Sequence, residues 1–217
     1  MSMISIRTFA PLLFFYVISL TYCMAQKAET ILDDVAKSYE RSNGISAQFT
    51  IHIQSEKQRI SESYEGTIQM RGDKFVMITP EMQVWYNGIT MWTLLTATDE
   101  VNLTTPSGDE LQFTNPMILF STYKKGYNPS YIGESTADTG KPAYDVLLTS
   151  KGRSDTEKIE IQIEKAASLP VRMTVYMKPD IRNLIRISKM QTALNQPDSF
   201  FAFNPKDFPG VIEIDLR

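Results

Sequence analysis

The chain has 217 residues, 42% of them hydrophobic, and carries 22 Lys and Arg against 25 Asp and Glu, a net charge of −3 with one His and one Cys. Its length and apolar content suffice to bury the core of one domain without disulfides. A mildly acidic chain with no basic patch is not drawn to nucleic acid or to anionic lipid headgroups.

The first residues read as an export signal. Arg7 supplies the positive charge, Ala10 to Leu20 form an apolar run too short to span a bilayer, and small Ala25 precedes polar Gln26-Lys27. Cleavage after Ala25 removes residues 1–25 and leaves residues 26–217 as a single domain. Cys23 also invites a lipoprotein reading, with Leu20 in place three residues before it, but Tyr22 stands where such a signal needs a small residue. A lipid anchor at Cys23 is therefore the lesser expectation. With Cys23 discarded, the exported chain has no disulfide, thiol nucleophile or thiolate ligand.

Ala28, Ile31, Leu32, Val35, Ala36 and Tyr39 recur at three- and four-residue steps and predict one amphipathic helix, stopped at Asn43-Gly44 where positive φ is available. From Ile45 the period changes to two: Ile45, Ala47, Phe49, Ile51 and Ile53 alternate with polar residues, as a half-buried strand requires. The pattern continues through Tyr64 to Met70, turns at Arg71-Gly72-Asp73 and resumes through Phe75, Met77 and Thr79. Val84-Trp85-Tyr86 and Ile89 to Trp92 flank Asn87-Gly88, which predicts a hairpin with a type I′ turn. A strand over Val101 to Thr104 follows, then a loop over Pro106 to Glu110 and a short helix over Asn115 to Phe120 with Pro in its first turn. Alternation returns at Tyr144 to Leu148, Ile159 to Ile163, Leu169 to Met177, Leu184 to Met190 and Ser199 to Phe203. The reading is a mainly β (α+β) fold: about 11 antiparallel strands, two helices, no βαβ unit, and a sheet of that size expected to curl strongly.

Catalytic chemistry has little to stand on. His52 lies among the polar residues of its strand, as a solvated histidine does, so neither a Ser-His triad nor a common zinc site can be assembled. Asp33-Asp34, Asp99-Glu100 and Asp109-Glu110 fall at helix and turn positions, and adjacent residues of a strand point apart, which is unsuited to paired-acid chemistry. There is no phosphate-binding glycine loop and no cofactor is expected. The chain is rich instead in methionines and aromatics, soft apolar side chains that adapt to varied partners.

The order of these parts resembles the LolA-like outer-membrane lipoprotein carriers. Gly44-Ile45-Ser46-Ala47-Gln48-Phe49-Thr50 is similar to the family's junction of first helix and first strand, and Asn87-Gly88 with Met91-Trp92 to its hairpin. Asn115-Pro116-Met117-Ile118-Leu119 is similar to its mid-chain lid helix, and Phe201-Ala202-Phe203-Asn204-Pro205 to its terminal F-x-F-x-P. The resemblance implies an incomplete, open β-barrel lidded by the N-terminal and mid-chain helices. It also implies a periplasmic, monomeric protein of a Gram-negative bacterium that carries acylated lipoproteins. Cargo would come from an inner-membrane ABC-type release complex and pass to the outer membrane, to a receptor there. The free-lipid alternative keeps the cavity but fills it with a glycolipid, fatty acid or pigment precursor. Phe49, Ile51, Met70, Met77, Trp92, Leu94, Met117, Phe120, Met173 and Met177 are expected to line the acyl-chain cavity. A functional arginine of the family ties the lid shut just after the second strand. Arg71 is its nearest match, although Gly72 stands where the family commonly has proline.

Overall fold

The computed structural model describes the backbone of residues 9–107, 111 and 116–217, and the side chains of these residues from Ala25 onward except Pro116 and Met117. Helix α1 (Phe9–Arg41) runs from the segment read as an export signal into the amphipathic segment without a break. It ends where Asn43 and Gly44 take φ of 51° and 105°, so the stop expected from Asn-Gly is the stop observed.

Six consecutive antiparallel strands follow: β1 (Ile45–Ser55), β2 (Ile60–Arg71), β3 (Lys74–Ile78), β4 (Met82–Tyr86), β5 (Met91–Leu95) and β6 (Glu100–Thr104). Helix α2 (Pro116–Gly126) separates them from a second meander of β7 (Tyr127–Thr136), β8 (Pro142–Ser150), β9 (Thr156–Glu164), β10 (Leu169–Met177) and β11 (Ile181–Thr192). The two meanders join where β1 pairs with β11, and β12 (Ile212–Asp215) adds in parallel beside β6. The result is one open twelve-stranded sheet, ordered β12-β6-β5-β4-β3-β2-β1-β11-β10-β9-β8-β7.

Three expectations are corrected. The strand count rises to twelve because β7 and β12 were missed: β7 contains Pro129 and a register shift between Tyr131 and Gly133, which blur its alternation, and β12 is four residues long. Ser199 to Phe203 is not a strand; Asp198–Phe201 forms a 3₁₀ turn, and Phe201 and Phe203 lie buried against the sheet with no ladder partner. The Asn87-Gly88 turn is not type I′, because Gly88 alone takes positive φ. The Asn87 carboxamide instead accepts hydrogen bonds from the Ile89 and Thr90 amides, both at 2.9 Å, and lengthens the connection to four residues.

Alternation gives the sheet two faces. On the front, cross-strand neighbours form apolar rows, Ile45-Met70-Phe75-Tyr86-Met91 on one half and Ile51-Ile185-Met173-Ile161-Val146 on the other. The two rows belong to one core cluster that also contains Ile31, Leu32 and Val35 of α1 and Leu119, Phe120 and Tyr123 of α2. The two helices therefore cover the front face. Behind β3 to β6 a second core forms from Val76, Trp85, Leu94, Val101 and Leu103, capped by Phe201 and Phe203 of the C-terminal segment. There Trp85 meets Phe203 and Phe208 edge-on, each at 5.4 Å between ring centroids.

Gly66 fits this packing by having no side chain. It pairs with Phe49 across β1 and β2, and a Cβ there would stand 2.5 Å from the Phe49 ring and 2.7 Å from the Ile78 carbonyl oxygen. Gly66→Ala is expected to lower stability by about 1–3 kcal/mol through overpacking against backbone that cannot retreat. An unchanged urea midpoint would show that the sheet yields there.

Candidate functional site

The front face and its two helices form the candidate site. Of the residues expected to line a cavity, Phe49, Ile51, Met70, Met77, Phe120 and Met173 come together in the front cluster. Trp92 and Leu94 do not: they lie behind β5, in the core under the C-terminal segment. The register requires this, since Val76, Trp85, Trp92 and Leu103 are successive cross-strand neighbours and so share the back face. In β3 to β5 both faces carry apolar residues, so composition could not tell front from back. Met177 is half-buried at the end of β10, its sulfur 3.7 Å from Asn183 Nδ2. The side chain of Met117 lies outside the described residues.

Sequence reasoning passed over Phe75, Val84 and Tyr86, and the β9 residues Ile159, Ile161 and Ile163, all buried in the same front cluster. The signal that could have found them was present: each keeps the front-face parity of its strand.

Polar ties hold the helices together at their rims. The Tyr123 hydroxyl donates to Asp33 Oδ1 at 3.2 Å and Lys124 Nζ to Asp33 Oδ2 at 3.0 Å, which links α2 to α1. Burial first, then the adjacent Asp33 carboxylate, push the Tyr123 phenol above its ordinary range, so it remains a donor. At the other end of α1 the Tyr39 hydroxyl donates to the Gly72 carbonyl at 2.7 Å. Exposed pairs such as Lys124 with Asp33 contribute about 0–1 kcal/mol each. Burying Ile31, Leu32 and Val35 contributes about 1.5–3 kcal/mol per side chain, so apolar contact, not the ties, seats α1. A depression of about 240 Å³ lies between α1 and the sheet, bordered by Thr30, Ile31, Tyr144 and Ile163.

Arg71 is engaged away from α2. Its guanidinium donates to the Gln196 carbonyl and to Asp198, and sits 5.6 Å from the centre of the Phe201 ring. Lys74 joins Asp198 at 2.9 Å, and Gln196 Nε2 donates to Gln69 Oε1 at 3.0 Å. The turn after β2 thus holds the C-terminal segment through Arg71 and the end of α1 through Gly72. His52 is half-buried with Nε2 3.0 Å from Gln54 Nε2. Among the described residues, no group of three His, Cys, Asp or Glu could hold a metal ion. No helix among them is long and apolar enough to cross a membrane.

An apolar sheet face covered by two helices is the architecture of a carrier or binding protein. The family described as outer membrane lipoprotein carrier protein LolA matches residues 19–171, and the chain belongs to this family. No curated protein matches the chain in sequence. Among solved structures, an uncharacterized conserved protein from Thermus thermophilus shares the fold at 16% identity and a TM-score of 0.61, over 87% of this chain and 99% of that one. A LolA superfamily protein from Nitrosomonas europaea is 14% identical over 81% of this chain and 97% of its own, with a TM-score of 0.46. The lipoprotein LppX of Mycobacterium tuberculosis is 15% identical over 77% and 96%, with a TM-score of 0.41.

The Asp198 carboxylate is held below its usual range, by Lys74 first and Arg71 after it. A depressed carboxylate contributes stability above its unfolded pKa and loses it as pH falls through the folded value. Loosening of the C-terminal segment is therefore expected below about pH 4, read by fluorescence of Trp85 and Trp92 during acid titration. Asp198→Asn should remove that component of the change; coincident wild-type and variant curves would assign it to other groups.

Proposed function

We propose that the chain is a periplasmic carrier that takes the acyl chains of lipoproteins against the front face of its sheet and shuttles them from the inner to the outer membrane. The observation that supports this reading best is the pair of helices seated on that face by apolar contact and tied by only a few polar bonds. In this reading the sheet with α1 and α2 over it is the incomplete, open barrel expected of the family. Residues 1–25 are the export signal, and the exported protein is a monomer that takes cargo from an ABC-type release complex and passes it to an outer-membrane receptor.

The energetics suit reversible carriage. Lifting Ile31, Leu32 and Val35 from the sheet costs about 5–9 kcal/mol. A sixteen-carbon acyl chain regains on the order of 12 kcal/mol by burial at about 0.8 kcal/mol per CH₂, in a protein or in a membrane alike. Helix displacement and chain burial are thus of similar size, and rim contacts are large enough to tip the direction of transfer. Phe49, Ile51, Met70, Met77, Phe120 and Met173 would contact the chain, with Met177 at one end. Arg71 would act on closure through its turn, which holds both α1 and the C-terminal segment.

Incubating the purified protein with spheroplasts tests the reading. A soluble one-to-one complex with triacylated lipoprotein in the supernatant is the expected result. Extractable glycolipid, fatty acid or pigment precursor without lipoprotein would favour a free-lipid carrier, and binding of neither would defeat the apolar-site reading altogether. Arg71→Leu is expected to load cargo but to slow its release; normal loading and release by this variant would remove Arg71 from the mechanism.

A further inference from the structure

The back face of the second meander carries a groove of about 470 Å³ whose floor crosses four strands. Register defines that floor. Asp145 of β8, Gln162 of β9, Arg172 of β10 and Arg186 of β11 are successive cross-strand neighbours and form one polar row. Beside it runs the row Leu147, Glu160, Thr174 and Leu184, apolar at both ends. Front-face Val146, Ile161, Met173 and Ile185 alternate with these residues, so the groove faces away from α1 and α2.

Two features of the polar row are unfavourable in the protein alone. Arg172 and Arg186 stand directly opposite each other, and like charges in that position repel. One carboxylate offsets them: Asp138, exposed in the turn between β7 and β8, lies 3.3 Å from Arg186 Nε and 4.0 Å from an Arg172 terminal nitrogen. The second is Gln162, which is only 3% exposed. Its Nε2 donates to Ser135 Oγ at 2.8 Å, while its Oε1 is buried without a hydrogen-bond partner. A buried acceptor in that condition is costly, and a donor brought in by a ligand relieves it. Glu160 in the neighbouring row is already held by Lys158 at 2.7 Å and Tyr176 at 3.1 Å.

We propose that this groove binds a short zwitterionic peptide, its carboxylate on Arg172 and Arg186 and its ammonium group over Gln162 Oε1 and Asp145. Asp138 occupies the carboxylate position until the peptide displaces it. Paired guanidiniums suit a carboxylate, which accepts from both at once. Adjacent strands lie about 4.8 Å apart, so the two ends of the row are centred about 10 Å from one another, the length of three extended residues. A phosphoethanolamine headgroup, with two methylenes between its charges, is too short to reach both ends. Leu147 and Leu184 beside the row suit an apolar side chain on the peptide. The site is on the opposite face from the proposed acyl site, and the proposal does not rest on that reading.

The test uses the purified protein and the tripeptide Ala-Leu-Ala, followed by backbone amide shifts of β8 to β11 in NMR titration. Saturable shifts confined to these strands are expected. N-acetylation and C-amidation should each weaken binding about tenfold or more, and both changes are made on the peptide, so they leave folding untouched. Arg172→Gln and Arg186→Gln should weaken it similarly with thermal unfolding as the fold control, and Asp138→Asn should tighten it. The proposal fails if no saturable shift appears, if the doubly blocked peptide binds as well as the free one, or if vesicles of phosphatidylethanolamine shift the same residues while the tripeptide does not.

Discussion

A sheet this wide has to keep its apolar front face out of water, and the rest of the structure follows from that requirement. The helical stripe of Ile31, Leu32 and Val35 and the α2 residues Leu119, Phe120 and Tyr123 are the surfaces that meet it. Area removed from water dominates this contact, because the ties are few and the ion pair of Lys124 with Asp33 is exposed, where solvent screens it. A cover held mainly by non-directional apolar contact can be exchanged for another apolar surface at little net cost, and an acyl chain is such a surface. Directional buried polar bonds would make the exchange far more expensive.

The two halves of the sheet solve the back-face problem differently. Behind β3 to β6 the C-terminal segment supplies Phe201 and Phe203, which pack on Trp85 and leave a second apolar core. Behind β8 to β11 no segment is laid down among the described residues, and many of the side chains there are polar or charged, as in the row from Asp145 to Arg186. The turn after β2 connects front and back: Gly72 receives Tyr39 from the front helix, while Arg71 and neighbouring Lys74 hold Asp198 behind. A displacement of α1 and a displacement of the C-terminal segment therefore bear on the same few residues.

Much of this was legible in the order of residues. The three- and four-residue spacing of Ala28 to Tyr39 specified a helix with a defined wet side, Asn43-Gly44 specified its end, and the alternation from Ile45 to Ile53 specified a long strand half in contact with a core. These are local properties, set by the 3.6- and 2-residue repeats and by the φ a residue can take. The family followed from the order of such parts rather than from any one of them. Alternation by itself also places Phe49, Ile51, Met70 and Met77 on one side of their strands.

What the order of residues left open was which side of a doubly apolar strand faces the helices, and that is a property of distant chain. Trp92 and Leu94 look no different from Met77 in composition; the C-terminal segment, far along the chain, claims their face. Arg71 could be recognised as a cation in a turn, but its partners at Gln196 and Asp198 reach it only once β11 has paired with β1 and brought the C-terminal segment back past the end of β2. The row of Asp145, Gln162, Arg172 and Arg186 is assembled from four strands, and a slip of one residue in any pairing would dissolve it. Periodicity therefore determined the elements and the alternation of their side chains. Register and long-range packing decided which faces meet, because those depend on contacts that no local window of sequence contains.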